Sequence, residues 1–568
     1  MLSKIKNLLP VITVLAISSV LFLTRLGANS LADWDEAWYA DAARFMFRHD
    51  HFLTPIWNGQ YFFDKPPLQY WLTQPFLYIF GETELAYRLP SALAAIALTL
   101  ITYLWGKSQW RQKMQRGGAS GVPVERPQRT ARTSDGEQRS DRTPTIYAGL
   151  AAAAILLSFP HFLDRGRSGN FDTLFVFLTT LSLFLFIKNK SLLAGIPLGL
   201  AWMTKGVFSG LFPIISLIAL KGLSFPGKDS PYQTIRTLLT YAAAAAAVYS
   251  PWHLLEYTKF DHLIEQSYFA TFDQGEFGGW NWMSIAWRFD FRYLVFLWTF
   301  LRWWFPIFLI ALIYQSLKFT KLLVVNLEGW RAKGPRSSAR SLSNVWTRTS
   351  ELPFISFVVI FLALSAAKSK NDWYIMPAYP FIALMIADFL FTAVIPGLTR
   401  NLSKFKTIPL KTKTVITFIT FITVIPFSAV NLILHWKQAF PPDKWLPEKE
   451  LGLTIKNLTN PNDLVITAEY EFPALRYYSE REVRTAARQP DFEGKYWWIW
   501  DNTDIATALR HGRDIVTVHR PGTQWPIDVW GYRLEKLGET NDRIISRLLL
   551  QTLPQIPAGN APIRNPLP

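Results

Sequence analysis

The stretch "LLPVITVLAISSVLFLTRLGANSLADWDEAWYADAARFM", Leu8 to Met46, decides how this chain is read. Leu8 to Leu26 is apolar over a length that crosses a bilayer core of about 30 Å. Directly after it, Asp33, Asp35, Glu36 and Asp41 crowd among Trp34, Trp38 and Tyr39. Aromatic rings favour the headgroup level, whereas carboxylates are costly there unless they are used. The apolar run is read as a retained first helix and not as a cleaved signal, because the polar stretch behind it carries too much chemistry for a cleavage scar.

The same reading extends outward. Of 568 residues half are hydrophobic, with 24 Trp, 42 Phe and 21 Tyr, and the apolar residues come in blocks instead of periodic stripes. Blocks near 8–26, 86–105, 145–163, 172–187, 191–204, 206–222, 236–252, 293–317, 351–366, 374–395 and 414–434 predict a mainly α, polytopic membrane protein of about eleven transmembrane helices. The absence of cysteine excludes disulfides, thiolate metal sites and cysteine nucleophiles.

The formal charge of +17 could suggest nucleic acid, so its distribution matters. Segment 107–144 holds nine basic and four acidic residues, 318–350 seven and one, and 396–413 five and none. With 188–190 and 221–236 these loops alternate correctly with the spans to be cytoplasmic, as does the N-terminus. The basic charge is therefore a topology signal for a cell (plasma or inner) membrane protein, and no nucleic-acid partner is needed. By the same parity 27–85, 164–171, 253–292, 367–373 and everything after about 435 lie outside.

Residues 1–434 are expected to form the transmembrane domain, with 27–85 as its first outer loop and 107–144 as a disordered cytoplasmic loop; 326–350 reads similarly. From 435 to 552, strand-like "NDLVITAEY", "KYWWIWDN" and "RDIVTVHR" alternate with helical runs, which predicts a small extracytoplasmic α/β domain. A Pro-rich tail, 553–568, is expected to be disordered.

In the first outer loop, Trp34, Trp38 and Phe45 recur at helical spacing, as do Asp35, Tyr39 and Met46. This predicts an amphipathic juxtamembrane helix with rings toward lipid and carboxylates toward water or a cavity. A second one starts at Leu68, after Pro66 and Pro67. Asp35 and Glu36 read either as a solvated helix start or as a general base at the membrane surface. Asp172 stands at the outer mouth of a span, behind Arg165 and Arg167. Lys205, Lys368, Lys370 and Tyr374 sit at other outer helix junctions, and Lys65 lies in the first loop. Each lysine alone reads as a snorkelling anchor. Together they suit an anionic lipid headgroup, with Lys and Arg on phosphate.

"DWDEAWYADAARFM", "YFFDKPPLQYWL", "ELAYRLPSALAAI", "RSGNFDTLFVFLTTLSLF", "GLAWMTKG" and "SKNDWYIMPAYPFIALMIA" follow one another in this order. The chain thereby resembles the aminoarabinose (lipid A) transferase and protein O-mannosyltransferase superfamily, GT-C glycosyltransferases that use polyprenyl-phosphate sugars. The resemblance implies an inverting transfer to a lipid, glycan or protein acceptor. It implies Asp35, with Glu36 and Asp172, as catalytic carboxylates. Lys65, Lys205 and Tyr374 match positions near the donor phosphate, and Lys370 and Arg167 join them as outer cations. Asp33 and Asp41 are then expected to be solvated bystanders. Two departures stand out. Asp64 replaces the longer Glu before Lys-Pro-Pro, and His253 and His262 are out of register with the family's metal-binding stretch. No cofactor is required on this reading, and a divalent metal stays open. The alternative from another class, a transporter or flippase of lipid-linked sugars, predicts mid-membrane charges and paired broken helices, which the sequence lacks. A receptor-like reading leaves "DKPPLQYW" unexplained.

Overall fold

The computed structural model describes residues 2–33, 35–115, 142–222, 231–260, 291–342, 349–367, 370–394, 411–467, 472–486, 499–500, 502–522, 532–540 and 542–550. Of the loop expected to be disordered at 107–144, residues 116–141 fall outside these residues, as does the tail expected at 553–568, whereas 107–115 continue the helix Glu84–Gln115 and 142–144 open the helix Arg142–Leu157. Contacts divide the chain into two compact units. The first comprises Met1–Thr24, Asp64–Gln69 and Pro90–Pro441; the second comprises Arg25–Phe63, Tyr70–Leu89 and Pro442–Pro568. Most of the first outer loop thus shares a compact unit with the C-terminal residues, while its Asp64–Gln69 stretch belongs to the first unit.

The first unit is helical. Where a segment is apolar on every side, a helix satisfies its own backbone, and packing comes from close approach of small residues. Gly195 and Gly199 show this. A Cβ on Gly195 would clash with Tyr241 and Ala244, and one on Gly199 with Ala245 and Val248, all on the neighbouring helix Pro231–Phe260. Among the described residues two helices, Glu84–Gln112 and Asp372–Val394, are long and apolar enough to cross a membrane. A third qualifies if Thr145–Leu157 and Pro160–Gly166, bent by 75°, form one broken span. The bend lies at Phe159, whose extended φ −79°, ψ 111° is the conformation a following proline imposes. Shorter apolar helices, Leu8–Leu23, Phe171–Phe186, Arg292–Leu301, Leu352–Ala366 and Phe421–Leu434, coincide with further expected spans. The described residues therefore support a mainly helical architecture, but not the full count of eleven. A second loop expectation, 326–350, also needs correction. The helix Trp304–Leu342 runs through 326–342, because extending an existing helix needs no new nucleus.

The second unit carries the expected α/β sheet. Its strands are β3 (Leu464–Thr467), β4 (Glu482–Ala486), β5 (Ile499–Trp500), β6 (Ile515–His519), β7 (Tyr532–Glu539) and β8 (Ile544–Leu550), in the order β5-β4-β3-β6-β8-β7. The first four run parallel; β8 pairs antiparallel with β6, and β7 pairs antiparallel with β8 as the other arm of a hairpin. Successive side chains alternate between faces. Leu464, Ile466, Ile515 and Leu548 bury one face together with Ile505. Val465, Val483, Val516, Val518 and Ile545 bury the other under Leu451, Ile455 and Leu475.

That second face is closed by the first outer loop. A hairpin of β1 (Ile56–Trp57) and β2 (Gln60–Tyr61) turns through Asn58 and Gly59, φ 50° and 75°, the paired positive angles of a two-residue hairpin turn. Trp57 is fully buried in the sheet core, 5.8 Å from Phe472, with Trp38 and Phe62 packed against the same cluster. Asn58 meets the edge of β4 through both ends of its amide. Its Nδ2 donates to the Val483 carbonyl at 2.8 Å, and its Oδ1 accepts from the Val483 N–H at 3.3 Å.

Candidate functional site

In the first unit, four helix ends bring polar groups together. Asn170 caps the helix Phe171–Phe186. Its side chain accepts from the N–H groups of Asp172 (2.9 Å) and Thr173 (3.4 Å), and it donates to the Arg165 carbonyl at 2.8 Å. This cap fixes Asp172 in the first helical turn, buried, with an acidic group where the helix dipole favours one. Arg165, in the last turn of Pro160–Gly166, donates to one oxygen of Asp172, and Lys205 donates to the other. Lys205 is the last residue before a break. The helix Ser191–Ser209 kinks at Gly206, whose φ of 79° suits only glycine without strain. The 3₁₀ helix Asp372–Ala378 supplies two rings. Trp373 lies under the Arg165 guanidinium at 5.2 Å, and Tyr374 under the Lys205 ammonium at 5.4 Å. Two cations around one carboxylate leave a net positive charge, and both can donate to phosphate oxygens.

The other candidates of this unit have separate partners. Arg167 donates to the carbonyls of Leu21 (2.8 Å), Phe22 (3.2 Å) and Thr24 (2.8 Å), closing the end of the first helix as a C-terminal cap. Lys370 donates to the carbonyls of Leu364 and Ser365 at the end of Leu352–Ala366, and lies 5.8 Å from the Tyr293 ring. Lys65 pairs with Asp64 at 2.9 Å. Lys368 and His262 lie outside the described residues. His253 contacts Tyr249 at 3.2 Å. Among the described residues no group of three His, Asp or Glu side chains is arranged to hold a metal ion.

In the second unit, the helix Asp35–Arg48 starts on Asp35, which is half-buried. Its neighbour Glu36 is 3% exposed and held by Arg88 through both oxygens, at 2.7 and 2.9 Å. Arg88 spends its remaining donors on the carbonyls of Leu26 (3.0 Å), Asn29 (2.7 Å) and Ser30 (2.8 Å). One guanidinium therefore ties the incoming chain to the start of the helix. Glu36 also accepts from the Ala32 N–H at 2.8 Å.

The expected arrangement, rings toward lipid and carboxylates toward water or a cavity, does not hold for Asp33, Asp41 and Trp38. Asp33 is buried and accepts from the Ala474 N–H at 2.7 Å. Asp41 is buried between Arg44 and Arg476, so neither is a solvated bystander. Trp38 packs on the sheet core, while Trp34 lies outside the described residues. The reason is that the helix lies against Pro473–Ser479, whose contribution the local pattern cannot show.

This ion-pair network sets an acid limit on stability. Burial pushes the Asp41 carboxyl up, but Arg476 and Arg44 outweigh it and hold it below the usual range. Burial likewise raises Glu480, and hydrogen bonds from Arg48 and Lys456 bring it down to about 2. Carboxylates depressed on folding stabilise above their unfolded values and lose that contribution as pH falls toward the folded ones. The thermal midpoint should therefore be flat from neutral pH to about 5 and drop between about 4.5 and 2. Glu480→Gln should lower the neutral-pH midpoint and shrink the drop. An unchanged drop, followed by circular dichroism, would remove Glu480 from this account.

Sequence reasoning missed Arg88 and Arg476. Arg88 had a signal, an arginine inside the otherwise apolar block 86–105, which calls for a buried partner. Arg476 had none, since its partner lies more than 400 residues upstream.

No protein-family model matches the chain. An uncharacterized protein of Aquifex aeolicus is 28% identical over 384 residues, 65% of this chain and 62% of that protein. The undecaprenyl phosphate-alpha-4-amino-4-deoxy-L-arabinose arabinosyl transferase of Pseudomonas savastanoi pv. phaseolicola is 24% identical over 400 residues, 67% of this chain and 61% of that enzyme. The match thus spans about three fifths of the length of these relatives. The crystal structure of ArnT from Cupriavidus metallidurans bound to undecaprenyl phosphate superposes with a TM-score of 0.64 at 15% identity, covering 94% of this chain and 97% of that one. The chain is ArnT-like in fold, as its motifs suggested.

Proposed function

We propose that this ArnT-like chain is a membrane glycosyltransferase that moves a sugar from a polyprenyl-phosphate carrier to an acceptor hydroxyl on the extracytoplasmic face. The observation that carries the proposal is the cationic cluster of Arg165 and Lys205 around Asp172, in a fold shared with a protein solved with undecaprenyl phosphate. Lys205, Arg165 and Tyr374 are assigned to the donor phosphate, and Asp172 orients the two cations. Lys65 and Lys370 are further donor-side cations on this reading. Arg167 serves the fold as a helix cap. In the second unit Asp35 is assigned as the base, and Glu36, taken up by Arg88, holds the turn on which Asp35 stands. The acceptor oxygen attacks the anomeric carbon and passes its proton to Asp35. The bond from that carbon to the phosphate oxygen breaks, and polyprenyl phosphate leaves with the electron pair, so the configuration inverts. Increasing negative charge on the leaving phosphate is what fixed cations stabilise.

Lys205→Ala tests the donor assignment. Undecaprenyl phosphate should bind purified wild-type protein, and the variant should lose on the order of tenfold or more, a charge-assisted hydrogen bond being worth about 1.5–3 kcal/mol. Equal binding by both would remove Lys205 from the phosphate site.

A further inference from the structure

We infer that the C-terminal sheet domain is a positioning element for the transfer step: its helix Pro473–Ser479 sets where Asp35 stands, through Asp33 on one side and Asp41 on the other. The inference rests on the assignment of Asp35 as the base.

Asp35 is the first residue of its helix, and a helix end is where backbone position is least determined by the helix itself. Here the preceding residues are fastened to the sheet domain. Asp33 Oδ1 accepts the Ala474 N–H at 2.7 Å. Two residues earlier the Leu31 N–H donates to the Tyr478 hydroxyl at 2.8 Å, and that hydroxyl donates to Glu84 at 3.0 Å. Beyond Asp35, Asp41 pairs with Arg476 at 3.3 Å, and Arg44 donates to the Tyr477 carbonyl at 2.8 Å. One seven-residue helix, 473–479, therefore grips the chain before and after the base. Apolar packing alone, such as Trp57 under Phe472, would hold the loop on the sheet without specifying its register. Directional bonds to Leu31 and Asp33 specify it. Proton abstraction needs the carboxylate within hydrogen-bond reach of the acceptor hydroxyl, and a displacement of about 1 Å can cost on the order of 100-fold in rate.

The test compares full-length variants in lipid vesicles, using a polyprenyl-phosphate sugar and an acceptor extract that give turnover with wild type. Asp33→Ala should lower kcat about 10- to 100-fold with donor KM and undecaprenyl phosphate binding unchanged. Asp33→Asn retains an oxygen acceptor for the Ala474 N–H and should recover most of the rate. Leu548→Ala is the control. It opens the buried opposite face of the sheet, away from the first outer loop, and should lower the melting temperature while keeping kcat below that temperature. Should Asp33→Ala fail to fold, Tyr478→Phe removes only the hydroxyl bonded to Leu31 and should show the same selective fall in kcat. Full kcat in a folded Asp33→Ala or Tyr478→Phe protein would overturn the inference, as would an equal kcat loss in Leu548→Ala. Asp35→Asn, measured alongside, separates the two readings. If it keeps turnover, the base assignment itself is wrong. If it abolishes turnover while Asp33→Ala does not lower it, only the positioning role falls.

Discussion

Asp35→Asn is expected to lower transfer on the order of 10²- to 10⁴-fold, the usual worth of a positioned base, while undecaprenyl phosphate binding stays near wild type. The amide keeps the size and shape of the carboxylate but cannot take a proton at neutral pH. The fold should tolerate it, because Asp35 is half-buried at a helix start and the buried anchor of that turn is Glu36. The effect belongs in kcat, since phosphate recognition is assigned to residues of the other unit. Single-turnover release of polyprenyl phosphate, set beside a binding isotherm for undecaprenyl phosphate, reads the two separately. A variant that binds and turns over like wild type would show that another group accepts the proton.

Arg88→Met should destabilise the protein by about 3–5 kcal/mol, the cost of leaving one partner of a buried ion pair behind. Glu36 would keep its charge at 3% exposure without the guanidinium that holds both of its oxygens. Arg88→Lys should rescue little, because a single ammonium cannot hold both Glu36 oxygens and three carbonyls as the planar guanidinium does. Glu36→Leu together with Arg88→Met should recover part of the loss by removing the stranded charge. Recovery stays partial because the carbonyls of Leu26, Asn29 and Ser30 still lose their donor. Denaturant unfolding of the four proteins in the same lipid or detergent measures this. If the double variant is no more stable than Arg88→Met, the charge is not what makes the single variant fail.

Local signals in the sequence carried much of this structure. Apolar blocks located the helices, the proline pair 66–67 marked the start of Leu68–Phe80, and alternating runs in 464–519 marked strand, helix and strand. The structure also brings Asp172, Lys205 and Tyr374 together, three residues that stood out because charged or polar groups at span ends are costly. Two local signals were readable but unread. Asn58-Gly59 is a hairpin turn in plain view, and the alternation within 532–550 encodes the β7–β8 hairpin. Other features lie beyond local pattern. The charges in the Asp35–Arg48 helix look like a solvated face until Ala474, Arg476 and Tyr477 are brought against them from the far end of the chain. Arg167 resembles an outer cation on hydropathy alone, and only its distances to Leu21, Phe22 and Thr24 show a helix cap.

The most direct measurement is release of polyprenyl phosphate by the purified wild-type protein in lipid vesicles. A panel of labelled polyprenyl-phosphate sugars would be offered with a crude envelope extract as acceptor. Release is expected from one or a few donors, with the sugar recovered on an extract component in inverted configuration. Binding of the same donors without release, together with their movement across the bilayer, would contradict it and make the chain a carrier of lipid-linked sugars.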